Sequence, residues 1–136
     1  MEYVDDLSRS IAVTPASTVS TTVLRAEGAR LVLFAFDEGE ELSEHTAAMP
    51  VLLQTISGRL QVTASGQTVE LVPGGVLHLP TREPHSVLAA EPSVMLLTMV
   101  DTCLLVSPPF TSCLGISIGA RLCCSTTFCA AVSLMG

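Results

Sequence analysis

Between residues 21 and 100 the chain is a succession of short apolar runs, each cut off by Gly, Pro, Ser or acidic residues before it could build a useful helix. That punctuation is the spacing of an all-β sandwich or barrel. Residues 22–26 and 30–36 come first, the second reading R-L-V-L-F-A-F between Gly28 and the acidic stretch Asp37-Glu38-Gly39-Glu40-Glu41. After Pro50 comes V-L-L-Q-T-I, and Ser57-Gly58 turns the chain into R-L-Q-V-T, where Leu60 and Val62 alternate with Arg59, Gln61 and Thr63. Successive side chains of a strand point to opposite faces, so a period of two marks a strand with one wet face. A turn over 64–67 leads into T-V-E-L-V, where Val69 and Leu71 repeat the alternation, and Pro73-Gly74-Gly75 opens V-L-H-L. Beyond the loop 80–84 stand H-S-V-L and S-V-M-L-L-T-M-V. This span holds no amphipathic helix of useful length and no internal repeat.

At 136 residues the chain is long enough for one domain with a real core and too short for two ordinary ones. Lys is absent and the formal net charge is -7. Affinity for a phosphate backbone comes largely from Lys and Arg, so no nucleic-acid partner is expected. The first ten residues carry Glu2, Asp5 and Asp6, where a secretory signal would begin with basic residues and an apolar stretch, and a cytoplasmic location is the default. The expected organisation is an N-terminal arm over 1–20, a β-barrel domain over 21–100 and a tail over 101–136.

The tail differs in kind. Its only charged residues are Asp101 and Arg121, it breaks at Pro108-Pro109, and it holds all five cysteines, Cys103, Cys113, Cys123, Cys124 and Cys129. They form no C-x-x-C pair and have no His beside them, which argues against zinc, and an odd number fits poorly with closed disulfides. Reduced, unligated thiols are expected. A membrane span needs roughly 20 apolar residues in helical continuity. The prolines and hydroxyl residues of 102–120 interrupt that, so no membrane partner is expected. Extra strands or an apolar flap on the barrel is one alternative; the expectation is a tail outside the domain's design, as a shifted reading frame would leave it.

Two segments locate the chemistry. Residues 39–58 read G-E-E-L-S-E-H-T-A-A-M-P-V-L-L-Q-T-I-S-G, and residues 74–85 read G-G-V-L-H-L-P-T-R-E-P-H. Over roughly residues 29–100 the chain resembles the cupin family, whose paired signature motifs these segments follow. The first motif of that family runs G, five residues, H-x-H, three or four residues, E, six residues, G, and here falls on Gly39, His45, Ala47, Val51 and Gly58. The second runs G, five residues, P-x-G, two residues, H, three residues, N, and falls on Gly74, Pro80, Arg82, His85 and Ala89. The resemblance implies a small antiparallel β-barrel, the double-stranded β-helix or jelly roll of the cupins. It also implies one divalent transition-metal ion, held by inward histidines and a glutamate. Two of those four ligand positions are Ala47 and Val51, so any metal would be held weakly, by His45 and His85. The glycines also make sense without the family, since Gly58 and Gly74 follow Ser57 and Pro73 at turns where a positive φ is cheap only for glycine.

If residues 45–51 are extended throughout, His45, Ala47, Met49 and Val51 share a face. On the resemblance that face is the barrel interior, and His85, with Val87 beside it, enters from the opposite wall. Glu44, Thr46 and Gln54 have the wrong parity to replace the missing ligands. His78 is a less favoured third ligand, because turning it inward would turn Leu77 and Leu79 out, at about 1.5 to 3 kcal/mol for each. Without metal, His45 and His85 would be two hydrogen-bonded imidazoles at a barrel mouth. Arg82, where the family has glycine, is either a bidentate clamp for a ligand carboxylate or a plain surface arginine. The acidic run 37–41 with Glu44 is expected as a solvated loop.

Three functions fit these residues. The first is a binding module that holds a small organic molecule in an interior lined by His45, Ala47, Met49, Val51, His85 and Val87, with Arg82 at the mouth. The second is a metal-dependent enzyme of oxygenase or isomerase type with His45 and His85 as ligands. The third is a structural, dimerising barrel in which the outward Leu52 and Ile56 are covered by a second copy, and a homodimer is expected.

Overall fold

The computed structural model describes residues 1–101, so the cysteine-bearing tail and its alternatives lie outside the described residues. After a single 3-10 turn at Leu7–Arg9 the described residues form nine strands: β1 Thr18–Ala26, β2 Ala29–Phe36, β3 Glu41–His45, β4 Val51–Ser57, β5 Leu60–Ala64, β6 Gln67–Leu71, β7 Val76–Leu79, β8 His85–Ala89 and β9 Ser93–Val100. They make a five-stranded sheet in the order β1-β2-β9-β4-β7 and a four-stranded sheet in the order β3-β8-β5-β6, with every strand pairing antiparallel. Among the described residues no helix is long and apolar enough to cross a membrane.

The main core lies between the sheets. Phe36, Val51, Leu53, Met95 and Leu97 come from the larger sheet and meet Leu60, Val62, Leu71, Val87 and Ala89 from the smaller. The alternation read in residues 59–63 holds, with Leu60 and Val62 buried and Arg59, Gln61 and Thr63 exposed. It fails on β6, where Leu71 is buried but Val69 is 42% exposed. The reason is position: β6 is the last strand of its sheet and β7 the last of the other, and no described strand closes the space between them.

A second cluster explains why residues 30–36 and 93–100 are apolar almost without interruption. Leu33, Ala35, Val94 and Leu96 are buried on the outer face of the larger sheet, where Leu7, Ile11 and Val13 of the N-terminal arm pack against them. Strands covered on both faces lose the polar half of the alternation. Ile56 belongs to this cluster. It packs against Leu33, Ala35, Val94 and Leu96 and, like Leu52, is half-buried. The arm also ends earlier than residue 20, since β1 begins at Thr18.

Asp37 anchors the arm. Its carboxylate accepts the backbone N–H of Ala16 at 2.6 Å and that of Glu38 at 2.8 Å. Those bonds, the one from Ala16 first, hold the Asp37 carboxyl below its ordinary range. The first residue of the acidic run is thus a tether for the arm, while Glu38, Gly39 and Glu41 are exposed as expected of a solvated loop.

Candidate functional site

β3 and β8 bring His45 and His85 together. The two residues are register partners on adjacent strands of the four-stranded sheet, and their rings lie 4.3 Å apart between centroids, tilted by 56°. They are cross-strand neighbours, not residues facing each other from opposite walls. His85 is only 2% exposed and His45 is half-buried, so the pair runs from the interior to the barrel mouth.

Both rings are oriented by the same local device. His45 Nδ1 lies 2.8 Å from the carbonyl oxygen of Ser43, and His85 Nδ1 lies 2.8 Å from that of Glu83. A carbonyl can only accept, so each Nδ1 carries the proton and donates it. In the neutral rings both Nε2 atoms keep a lone pair. Burial lowers the pKa of His85, with the nearby His45 lowering it further and the Glu83 carbonyl and carboxylate opposing that shift. The charged imidazolium is the form that desolvation disfavours, which keeps the lone pair of His85 in place.

The cavity beside the rings is lined by Phe34, Leu42, His45, Leu53, His85, Val87, Met95 and Leu97. Strict strand parity would put Leu42 and His45 on opposite faces. The register between β3 and β8 shifts between Leu42 and His45, and that irregularity brings both to the same cavity. The volume is about 10 Å³, about what one water needs. Small-molecule pockets run to roughly 300–1,000 Å³, so the interior as it stands has no room beside the histidines for the organic ligand expected from the sequence.

The other expected site residues separate into two groups. β3 ends at His45 and the backbone bends over 46–50, so residues 45–51 are not one extended strand. Even so, Ala47 and Val51 are buried in the main core and Met49 packs against it, where they supply apolar wall and no donor. His78 is exposed on β7, with Leu77 and Leu79 turned into the core. It is not among the residues around the imidazole pair. Arg82 is exposed, and its backbone N–H donates to the Ala47 carbonyl at 2.7 Å, which holds the 80–84 loop against the 46–50 bend. Its φ of 62° explains why the motif favours glycine there.

No protein-family model matches the chain, and no curated protein does. Solved structures do. A cupin superfamily protein from Desulfitobacterium hafniense superposes with a TM-score of 0.67 at 24% identity, over 74% of this chain and 92% of the other. An RmlC-like cupin from Desulfovibrio desulfuricans gives 0.65 at 23% identity, over 74% and 96%. The chain has the cupin fold. A Klebsiella pneumoniae protein described by its double-stranded β-helix domain agrees, at a TM-score of 0.64 and 14% identity over 74% of this chain and 90% of that one.

Placed on the cupin fold, the donor set is partial. Two imidazoles with free Nε2 lone pairs suit a borderline divalent transition ion, and the carbonyl partner on each Nδ1 is the outer support that metal-bound histidines normally have. Among the described residues no group of three or more His, Cys, Asp or Glu stands close enough to share an ion. The residues present therefore fit such an ion as two of its ligands and do not close a shell around it.

Proposed function

We propose that this cupin-fold protein binds one divalent transition-metal ion weakly through the Nε2 atoms of His45 and His85, with water or a donor atom of a small exogenous molecule arriving at the mouth completing the shell. The observation that carries this is the pair of Nδ1–H bonds to Ser43 and Glu83, which fixes both rings in the tautomer with its lone pair on Nε2. When bound, the ion would polarise whatever oxygen donor joins it, the chemistry an isomerase or oxygenase of this fold would need. The chain's own part is to orient two imidazoles, to hold His85 neutral by burial and to exclude water behind them with Leu53, Val87 and Met95.

A structural barrel is the second reading, favoured by one observation: the positions of the two missing ligands are core residues, Ala47 at 4% and Val51 at 1% exposure. Titration of chelator-stripped, untagged protein with zinc or copper separates the two. The proposal expects one equivalent bound, with affinity falling at least about tenfold in His45→Ala and in His85→Ala. Folded protein that takes up no histidine-dependent metal would leave the structural barrel. A homodimer through the half-buried Leu52 and Ile56 belongs to the structural reading, and light scattering of the purified chain tests it.

A further inference from the structure

The open flank between β6 and β7 forms a cleft of about 190 Å³. Its apolar wall includes Val62, Leu77 and Leu79, and its rim includes Ser65, His78 and Glu83. Among the described residues it shares no lining residue with the cavity at the imidazole pair. An apolar cavity of about 150 Å³ accommodates a molecule the size of benzene, so this cleft suits a single ring or a short branched chain. Among the described residues Glu83 is the one acidic residue on its wall, and no Lys or Arg lines it, Arg82 included. The Glu83 carboxylate accepts the Ser65 hydroxyl, which ties it to the turn between β5 and β6. An anion here would meet a carboxylate with no described Lys or Arg beside it and only the His78 imidazole on the rim, whereas an ammonium group would complete a charge-assisted hydrogen bond above an apolar floor.

We infer that this cleft is a second binding site, for a small amine carrying an apolar ring or branched chain, separate from the histidine pair. Three single-ring probes of similar size distinguish charge from shape, the first two of them isosteric: benzylamine, benzyl alcohol and benzoate, titrated at pH 7 by calorimetry or NMR. A chelator is present throughout, so that no amine is held through metal. Benzylamine should bind saturably and at least about tenfold more tightly than benzoate. Glu83→Gln should bring benzylamine down to the level of benzyl alcohol while leaving benzyl alcohol within about twofold, since the variant removes the charge and keeps the shape. Val69→Phe, on the exposed edge strand over the cleft, should weaken both by filling space. His45→Ala should leave benzylamine within about twofold. Benzoate binding as well as benzylamine, the absence of saturable binding to folded protein, or indifference to both Glu83→Gln and Val69→Phe would each overturn the inference. Loss of benzylamine in His45→Ala would place the amine at the imidazoles and overturn it too.

Discussion

At the Gly58 end of the sandwich, side-chain hydroxyls tie the parts together. Thr55 Oγ1 on β4 donates to the Leu71 carbonyl on β6 at 3.0 Å, linking the two sheets, and the Ser93 hydroxyl, fully buried on β9, accepts the Arg59 N–H at 2.9 Å. At the His45 end the corresponding polar groups are two rings whose Nδ1 atoms are used and whose Nε2 atoms have no partner among the described residues. One end uses its polar atoms to fix geometry, while the other keeps two of them in reserve. Even within the Gly58 end, where Gly39 also lies with its N–H donated to the Ala89 carbonyl beside Leu60, a motif glycine must be judged by what surrounds it. Gly58, with φ of 82°, would put an added Cβ 2.4 Å from the Pro92 carbonyl oxygen, whereas Gly39, with φ of 81°, would put one in open space.

The sharpest break of the contrast is Gly58→Ala. The left-handed backbone and the collision with residues 92 and 93 should together cost about 3 kcal/mol or more, read from denaturant unfolding. Gly39→Ala bears only the conformational cost, about 1 to 2 kcal/mol. Equal losses in the two variants would mean the approach to Pro92 is not what holds that end. Thr55→Val, which removes the buried hydrogen bond to Leu71, should cost about 1 to 2 kcal/mol, and no loss would show the sheets joined by packing alone.

At the other end, pH is the probe. Burial holds the pKa of His85 below its ordinary 6.5. The unfolded chain therefore takes up a proton near pH 6.5 that the folded chain resists. Stability of chelator-treated protein should be full above that pH and fall as pH drops toward the folded-state value. His45→Ala should soften this fall, because the like charge of His45 is one of the causes of the shift. Unfolding midpoints that stay flat from pH 8 to 5 would contradict the placement of His85. The smallest effect belongs to Arg82, whose φ of 62° glycine adopts without strain. Arg82→Gly should gain about 0.5 kcal/mol, the relief of left-handed strain less the extra chain entropy of glycine. A loss would mean that the arginine side chain makes a contact worth more than the strain.

Much of this architecture could be read from residue order. The alternation in 59–63, the turn at Gly58 and the motif spacing led to β4, β5 and β8 and to the two histidines in one place. Other features could not be read, for physical reasons. E-L-S-E-H has one apolar residue, so β3 carries no period of its own, and its irregular register against β8 puts Leu42 and His45 on one side against strict parity. Whether a histidine pair sits across a cavity or along one sheet depends on strand order, which local pattern does not encode. The size of the interior depends on how Phe34, Leu53, Met95 and Leu97 pack together from three strands. The exposed side of Val69 follows from β6 being an edge, a property of the whole sheet.

The arm laid over the larger sheet has a practical corollary for anyone trimming this protein. A clone started at residue 21, where the strand-like pattern begins, would strip Leu7, Ile11 and Val13 from Leu33, Val94 and Leu96 and leave a greasy plate facing solvent. Such a shortened product should clump during purification even though every residue around the two imidazoles is still there.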